Sequence, residues 1–431
     1  MKRIAFLCLC LLSIVKVDAQ VLSLDEAVDI ALKNSLDIEV ARNNFEASQV
    51  SNHLSIAGGL PVVTGSVTDN QSLTNLNQQL SNGTTTKRNG NANNALNAGI
   101  DASYLLFNGW RVRTTKLRLE ALERQSAQQI NLQVQNLVAN VMVKYYDIVR
   151  QSSYIKTIQQ SINVTLQRKK LVEARQSVGL ANNADTYQAQ LDLTASEQEL
   201  RSQELILIQA KSDLMNLLTQ RPDSAFIISD TIIVDRGLTI DAVKSSLTTN
   251  PEFLSAEQQV RINELIVKEV GSQRYPSVAV TGGYNYSRSQ NAAGFTLLNQ
   301  NSGPFIGLGL QIPIFNWGVT KRQQRVAQID TRNAVNTREI LLNNLETFAV
   351  KAWQAYTNNI ERLEAERENN RIAADLLSLV QQRFELGVGT IVDVREAQRS
   401  FVEAGFRLVN LSYAAKVAEV ELKRLASQLG T

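Results

Sequence analysis

The sequence is poor in the residues that carry most enzyme chemistry. Its 431 residues include two cysteines, Cys8 and Cys10, and one histidine, His53. Both cysteines lie in the first nineteen residues, which we expect to be removed, so the remaining chain would hold no disulfide, thiolate metal site or cysteine nucleophile. A catalytic triad or zinc site around His53 would need partners that the chain lacks, and we interpret His53 as a solvated or packed helix residue. We therefore predict neither enzymatic activity nor a cofactor or metal site.

Long apolar runs are also scarce. Met1–Ala19 has a basic start, an apolar run and small residues before Gln20, which is the pattern of a cleaved secretory signal peptide. That run is too short to cross a bilayer, and no later stretch approaches 18 apolar residues, so we expect no transmembrane helix. An exported chain without one is periplasmic, secreted or an outer-membrane barrel. The signal contains three basic residues and one acidic residue, so its removal lowers the formal charge from +3 to +1. This balance does not favour a nucleic-acid partner.

Proline, at six residues, and aromatic residues, at 6%, are rare, which favours long uninterrupted helices. We predict helices over about 24–56, from the residue 110 region to 178, and over about 184–219, 238–271, 318–386 and 391–429. Apolar residues between Ile130 and Ile148 are spaced 4, 3, 4, 4 and 3 apart, as in coiled coils. A helix of about 70 residues is about 105 Å long, longer than an ordinary globular domain requires.

Four segments show the apolar–polar alternation of β-strands. They are Val62–Thr68, Ala98–Phe107, Ser277–Tyr286 and Phe305–Phe315. We predict two β-hairpins, at about 60–107 and 276–315. Residues 70–97 are rich in Asn, Gly, Thr and Gln, which predicts a long exposed loop, and 287–302 predicts a second polar loop. A short β-prone insert is predicted at Ala225 to Val234.

The chain contains an internal two-fold repeat. The segment RFELGVGTIVDVREAQRSF, which starts at Arg383, matches RQSVGLANNADTYQAQLDL, which starts at Arg175, at an offset of 208 residues. The first helix of each half aligns at an offset of 215. We therefore predict two structural repeats, 20–236 and 237–431, each with a helix, a hairpin, a long helix, a turn and a further helix. The first repeat ends in an insert at about 221–237, and the turns lie at Gly179 and Gly387.

The strand count predicts an oligomer. Strands of about ten residues suit a tilted transmembrane strand. Four strands are too few to close a barrel, and an unpaired edge cannot lie in lipid, so strands that span a membrane would require protomers to share one barrel. A trimer, for example, would supply 12 strands, an even number that closes. The predicted fold is mainly α with a small β part, namely a long antiparallel α-helical coiled-coil barrel joined to four transmembrane β-strands per protomer.

Two pairs of motifs carry a family resemblance. The strand-to-helix junctions are Leu106-Phe107-Asn108-Gly109 and Pro313-Ile314-Phe315-Asn316 with Gly318. The turns are Val178-Gly179-Leu180 and Gly387-Val388-Gly389-Thr390-Ile391-Val392-Asp393-Val394, of which the second is the more specific. With these motifs the chain resembles the TolC family of outer-membrane efflux proteins almost from end to end. The resemblance implies a homotrimer with a 12-stranded barrel in the outer membrane lipid and a helical tunnel across the periplasm. It also implies docking of a periplasmic adaptor (a membrane fusion protein) and an inner-membrane pump.

The resemblance also implies roles for single residues. Asp393 and Glu396 match the family's acidic positions at the periplasmic aperture, and Asp185 is the counterpart of Asp393 in the first repeat. Rings of acids in a trimer would favour cations and would repel one another. The alternative is that Asp185 and Asp393 are charges at helix N-termini, stabilised by the helix dipole. Gly389 and Phe384 stand where some relatives place an arginine and a tyrosine that lock the closed state.

The resemblance implies that two exposed turns, Val178-Gly179-Leu180 and Leu386-Gly387-Val388, dock the adaptor. Their alternative interpretation is that of simple helix C-caps. The predicted function is a passive export duct, for efflux of small molecules or for type I secretion, coupled to a pump through the adaptor. The alternative is a periplasmic coiled-coil adaptor or scaffold without a pore, which the two strand hairpins disfavour.

Overall fold

A computed structural model describes residues 20–223 and 226–429. The predicted signal peptide lies outside the described residues. The chain forms mostly helices and one small antiparallel sheet, which confirms the predicted fold class at that level. It divides into two compact units. The first contains 20–42, Gln129–Leu254 and Ile340 to the C-terminal end, and the second contains Asn43–Gln128 and Ser255–Glu339.

The described helices lie close to the predicted positions. They are α1 Leu24–Asn34, α2 Leu36–Ser51, α3 Arg111–Ser177, α4 Asn183–Leu217, α5 Ile240–Ser246, α6 Pro251–Ser272, α7 Val319–Glu385 and α8 Ile391–Leu425. Helices α3 and α7 have 67 residues each, and α4 and α8 have 35 each. None in the described part of the chain is long and apolar enough to cross a membrane.

Two predicted helices are broken where we expected continuity. Ser35, with ψ 118°, is extended and separates α1 from α2. In the second half, α5 passes into a 3-10 turn at Leu247–Thr249, and Asn250 is extended before Pro251 opens α6. A residue before proline avoids the helical region, whereas proline suits the first turn of a helix. The second break therefore has a sequence cause that periodicity alone does not show.

The core of the first unit lies between antiparallel helices. Hydrogen bonds join Gln151 to Gln203 and Lys144 to Asp213, so later residues of α3 face earlier residues of α4. Val141, Tyr145 and Ile148, three residues of the predicted coiled-coil pattern, are fully buried against Leu214 and Leu218. A second cluster packs Leu345, Ala349 and Tyr356 of α7 against Leu422 and Leu425 of α8. The predicted coiled-coil packing is confirmed here.

Among its described residues, the insert after α4 contains one short strand. Phe226–Ile227 (β4) pairs in parallel with Gln20–Val21 (β1), and residues 228–239 have no regular secondary structure. Leu22 N–H donates to the Ile227 carbonyl at 2.9 Å, and the Tyr145 hydroxyl donates to the Leu22 carbonyl at 3.0 Å. The insert is therefore held to the first unit by main-chain and tyrosine contacts.

The second unit contains a four-stranded antiparallel sheet in the order β2-β3-β5-β6. The strands are β2 Val62–Gln79, β3 Thr85–Asn108, β5 Ser277–Asn291 and β6 Leu298–Gln311. The predicted loop at 70–97 is therefore wrong, because the turn spans only 80–84. The predicted loop at 287–302 shortens to 292–297. Beyond Thr68 the side chains of β2 are mostly polar, so that part of the strand lacks apolar alternation, and main-chain pairing such as Asn70 with Ala95 extends it.

One face of this sheet is apolar and exposed. The register places Val63, Ala102, Gly282 and Ile306 in one row across the four strands. Side chains of this face are strongly exposed in the single chain, for example Val67 at 76% and Ile306 at 84%. The row behind it, on the opposite face, is Ser66, Gly99, Asn285 and Gly303. The predicted alternation is confirmed, and its apolar side is uncovered.

Candidate functional site

The first strand-to-helix junction turns sharply at two residues with positive φ. Gly109 has φ 68° and Trp110 has φ 67°. Asn108 Oδ1 accepts from the Val112 N–H at 3.3 Å, which satisfies a free donor at the start of α3. The Phe107 and Trp110 rings meet edge to face, 5.8 Å apart. A Cβ on Gly109 would lie 2.5 Å from the Ser272 carbonyl oxygen, so only glycine fits there.

The second junction repeats this shape with different contacts. Trp317 has φ 53° and Gly318 has φ 70°. The Phe315 and Trp317 rings lie 5.1 Å apart, and Asn316 Nδ2 donates to Thr320 Oγ1 at 2.7 Å. Strand β6 ends at Gln311, so Pro313 lies in an exposed stretch between strand and helix rather than inside the hairpin. A positive φ at a bulky residue is uncommon. Its occurrence at both tryptophans indicates that the two junctions adopt the same specific turn.

The first helix-to-helix turn is a Schellman cap. Leu180 N–H donates to the Arg175 carbonyl at 2.8 Å, and Gly179 N–H donates to the Gln176 carbonyl at 3.0 Å. Gly179 has φ 76°, the left-handed conformation that this cap requires. Val178 and Leu180 are 69% and 78% exposed. The main chain is therefore a C-cap, and the two apolar side chains remain uncovered.

The second turn has the same hydrogen bonds. Val388 N–H donates to the Arg383 carbonyl at 3.0 Å, and Gly387 N–H donates to the Phe384 carbonyl at 3.1 Å. Gly387 has φ 81°, and Leu386 and Val388 are exposed. Both turns therefore fit the C-cap interpretation in their main chain, and that interpretation leaves the apolar tips unexplained.

Asp185 and Asp393 occupy the same place in two capping boxes. Asp393 N–H donates to Thr390 Oγ1 at 3.1 Å, and Thr390 N–H donates to Asp393 Oδ2 at 3.0 Å. Asp185 exchanges the equivalent bonds with Asn182 at 2.9 and 3.2 Å. The Thr390 main-chain and side-chain hydrogen bonds lower the pKa of Asp393. The structure thus gives both carboxylates the helix N-terminal role, while Glu396, one turn later, is exposed. Their role in an aperture stays a prediction.

Phe384 and Gly389, the positions for which the resemblance implied a lock of the closed state, are used for packing. Phe384 is buried with Val172 and Val394. The Arg175 guanidinium lies 4.6 Å from the Phe384 ring centroid and donates to the Phe384 carbonyl, which ties the end of α3 to the end of α7. A Cβ on Gly389 would lie 3.1 Å from the Phe384 main-chain nitrogen, so the turn is tight. Sequence reasoning missed the role of Arg175.

His53 lies two residues past the end of α2 rather than inside a helix. Its side chain is exposed, and Nδ1 lies 2.7 Å from the Ser55 hydroxyl. The interpretation as a solvated residue is confirmed, and the helical placement was wrong.

A buried ion-pair network was also missed by sequence reasoning. Glu419 is fully buried, and its carboxylate accepts from Lys416 at 2.9 and 3.0 Å and from Lys423 at 3.0 Å. The Asp235 N–H donates to the same carboxylate at 2.9 Å. Lys423 also contacts the Asp235 carboxylate at 3.0 Å, and the Tyr356 hydroxyl donates to the Asp235 carbonyl. The network fixes the end of the insert to α7 and α8.

Proteins of known structure share this fold. The outer membrane protein VceC of Vibrio cholerae superposes with a TM-score of 0.78 at 19% identity, over 94% of this chain and 96% of VceC. The structure of CusC superposes with a TM-score of 0.74 at 18% identity, over 94% and 91%. Among relatives by sequence, the toxin and drug export protein A of Aggregatibacter actinomycetemcomitans is 22% identical over 94% of this chain and 88% of its own. The outer membrane protein TolC of V. cholerae is 23% identical over 78% and 77%.

VceC and TolC are outer-membrane proteins, which is the class that the exposed sheet face and the long helices fit. The outer membrane efflux protein family matches residues 27–220 and 242–428, so the chain belongs to this family. This confirms the predicted family resemblance. It also confirms the predicted function at the level that the family name states, which is efflux through an outer-membrane protein.

Proposed function

We propose that three copies of the chain form an outer-membrane duct that exports cargo passively. The observation that carries the proposal is the four-stranded sheet, whose apolar face is exposed and whose outer strands β2 and β6 each pair on one side only within the described chain. Lipid tolerates neither open edge. Joining β6 of one copy to β2 of the next would close 12 strands, an even number of the kind found in outer-membrane barrels.

The long helices would form the periplasmic part of the duct. A helix of 67 residues is about 100 Å long, and α3 and α7 share that length. Equal lengths also support two duplicated repeats, 20–236 and 237–431, which would each supply half of the protomer's wall. The signal peptide would direct the chain to the periplasm, and an inner-membrane pump with a periplasmic adaptor would supply energy and cargo.

The two Schellman turns are the proposed docking points for the adaptor. Val178, Leu180, Leu386 and Val388 expose apolar surface that the caps themselves do not require. Apolar side chains at the tip of a helix pair suit the side of another helix, which is the element that a coiled-coil adaptor presents.

Asp393, Glu396 and Asp185 are the proposed acids of the periplasmic aperture. All three lie in the first or second turn of α4 or α8, directly after the tip turns. Repeated three times around a narrow opening, carboxylates would attract cations and repel one another.

Single-channel recording tests the duct and the acids together. Purified wild-type protein in planar bilayers is expected to give stable, cation-selective channels, and Asp393→Ala/Glu396→Ala is expected to lose that selectivity. Asp375→Ala, which removes an exposed acid of α7 away from the turn, is the matched control and should behave as wild type. Heat-sensitive trimers that conduct no current at any voltage, in wild type and variant alike, would contradict a conducting duct. Selectivity that survives the double substitution would contradict the aperture role alone.

A further inference from the structure

Two arginines from different helices share one carboxylate near the helix tips. Arg168 on α3 donates from Nη2 to Asp192 Oδ2 at 2.6 Å. Arg395 on α8 places its Nε 3.8 Å from the same Asp192 oxygen, too far for a hydrogen bond. The other oxygen, Oδ1, accepts from Gln188 Nε2 at 2.7 Å. Asp192 on α4 is therefore fully engaged, and the pair of guanidinium groups has one negative charge between them.

The guanidinium pair has more donors than acceptors. Each guanidinium offers five N–H donors. Arg168 is only 4% exposed, and its buried Nε and Nη1 find no acceptor within 20–223 and 226–429. Burial lowers the pKa of Arg168, and the neighbouring charge of Arg395 acts in the same direction. A buried charge with unmet hydrogen bonds is unfavourable, so a second anion at this place would be stabilised.

The more exposed member of the pair opens into a groove. The groove has a volume of about 540 Å³ and is lined by residues of α3, α4 and α8, including Thr165, Arg168, Asp192 and Arg395. Arg395 is 48% exposed, so an anion in the groove can reach it directly, while Arg168 lies beneath and contributes its field. The other lining arginine, Arg399, is already bonded to Glu403 at 2.9 Å.

The remaining charge of the groove is compatible with an anion. Glu396 also lines it, is exposed, and makes no ion pair with any residue that the structure describes. An exposed carboxylate is screened by water and salt, whereas the buried Arg168 is screened much less. The lining holds as many acids as arginines, so an anion would be held by the local N–H donors of Arg395 and not by a net positive charge of the groove.

We propose that this groove is a binding site for an oxyanion, either a carboxylate or a phosphate, held by Arg395 over the buried Arg168–Asp192 pair. The site lies on the helices rather than on the exposed apolar tips, and it requires no pore. Two sources have this chemistry, namely a free anion in the surrounding medium and the carboxylate of an acidic side chain on a partner protein.

Binding can be measured on the detergent-solubilised full chain by phosphorus NMR of inorganic phosphate at constant ionic strength. Wild type is expected to broaden the phosphate line saturably. Arg395→Gln is expected to weaken phosphate binding about tenfold, the usual loss for one charge-assisted hydrogen bond. Arg399→Gln is the matched control, on the same helix and in the same groove, and should bind phosphate as wild type does.

A second variant moves the affinity in the opposite direction. Asp192→Asn removes the internal carboxylate and leaves the guanidinium pair with a larger positive charge, so phosphate binding is expected to tighten. A structural role of Asp192 alone would not tighten it, and circular dichroism confirms that the variant is folded. Equal phosphate binding in wild type and Arg395→Gln, or binding that Asp192→Asn does not strengthen, would overturn the proposal.

N-acetylglutamate amide, a side-chain carboxylate on a peptide stub, distinguishes the two sources. Competition with phosphate at similar concentrations would support an acidic side chain of a partner as occupant. Phosphate binding without such competition would assign the site to a free anion. These titrations measure anion binding and require no current. A negative result would therefore overturn the anion site without affecting the proposed duct, and a failed bilayer recording would leave the anion site intact.

Discussion

The structure predicts that loss of the Glu419 charge destabilises the first unit. It is fully buried and receives hydrogen bonds from Lys416, Lys423 and the Asp235 main chain. Glu419→Gln keeps the size of the side chain and an oxygen for the Asp235 N–H, but removes the charge. In this variant Lys423 still has its ion pair with the Asp235 carboxylate at 3.0 Å. Lys416 is left with its cation–π contact to the Tyr146 ring.

The expected cost follows from the burial of Lys416. Its side chain is only 9% exposed, so an uncompensated ammonium group stays in the interior. Removing one partner of a buried ion pair costs about 3–5 kcal/mol. The remaining cation–π contact and the Gln oxygen offset part of this, so we expect about 3 kcal/mol. Because 1.4 kcal/mol corresponds to a factor of ten, local opening of the insert should become roughly a hundredfold more frequent.

Amide hydrogen exchange measures that opening directly. The Asp235 amide donates to Glu419, so a peptide covering residues 230–238 reports on the network. We expect its exchange in Glu419→Gln to rise roughly a hundredfold, while a peptide from β5, which lies in the second unit, changes little. Glu368→Gln on α7 is the matched control. Its i,i+3 ion pair with Arg371 is exposed, so its loss should not change the exchange of the insert.

A double substitution provides the refuting result. Lys416→Met/Glu419→Gln removes both charges, and neutral replacement of a buried pair is often tolerated, so protection should largely return. If Glu419→Gln exchanges like wild type, the network does not hold the insert. If the double variant is as unprotected as the single one, the loss comes from packing rather than from an uncompensated charge.

The same network predicts a pH window. Burial alone would lower the pKa of Lys423, but hydrogen bonds to Glu419 and Asp235 outweigh it and raise that pKa above its usual value of 10.5. The Gly237 N–H and Lys423 lower the pKa of Asp235 below 3.8. The contribution of Lys423 to hydrogen-exchange protection of the insert should therefore be full below pH 10.5. It should be lost as the pH rises through the raised pKa of Lys423. The contribution of Asp235 to this protection should be present above pH 3.8 and should be lost as the pH falls through the lowered pKa of Asp235.

Further substitutions test the turns. Gly179→Ala should cost roughly 1 kcal/mol in thermal or denaturant unfolding, because its φ is positive but nothing lies within 4 Å of the added carbon. Gly109→Ala should cost several times more, because the added carbon would also meet the Ser272 carbonyl; similar losses at the two positions would contradict this reasoning. The capping box of Asp393 should stabilise the start of α8 above pH 3.8 and lose that contribution as pH falls through the lowered pKa. Asp393→Asn should flatten this acid limb in circular dichroism, and an unchanged limb would assign it to other groups.

The helix ends could be predicted from sequence because their signals are local. Gly179 and Gly387 supply the left-handed residue of each cap, and Asn182 and Thr390 each precede an aspartate by three residues, as a capping box requires. Strand ends could not be predicted in the same way. Residues 70–97 have polar side chains on both faces, so no periodicity announces the strands, and their pairing depends on a partner strand.

The arginine cluster could not be predicted either. Arg168, Asp192 and Arg395 belong to three helices and become neighbours only through the packing of those helices. No residue spacing in the sequence indicates that these three side chains become neighbours. Arg175 did carry a signal, since it is repeated as Arg383, but the repeat alone does not reveal that its guanidinium covers the Phe384 ring.

Two of the three acids proposed for the aperture, Asp393 and Glu396, are not equivalent probes of a pore. Asp393 closes a capping box, so replacing it weakens the start of α8 whether or not its carboxylate also faces an opening. Glu396 is exposed and has no ion pair in the described chain, so replacing it changes charge with little structural cost. A selectivity change in Glu396→Gln alone would therefore be assigned to the aperture, whereas the same change in Asp393→Asn alone could arise from a loosened turn.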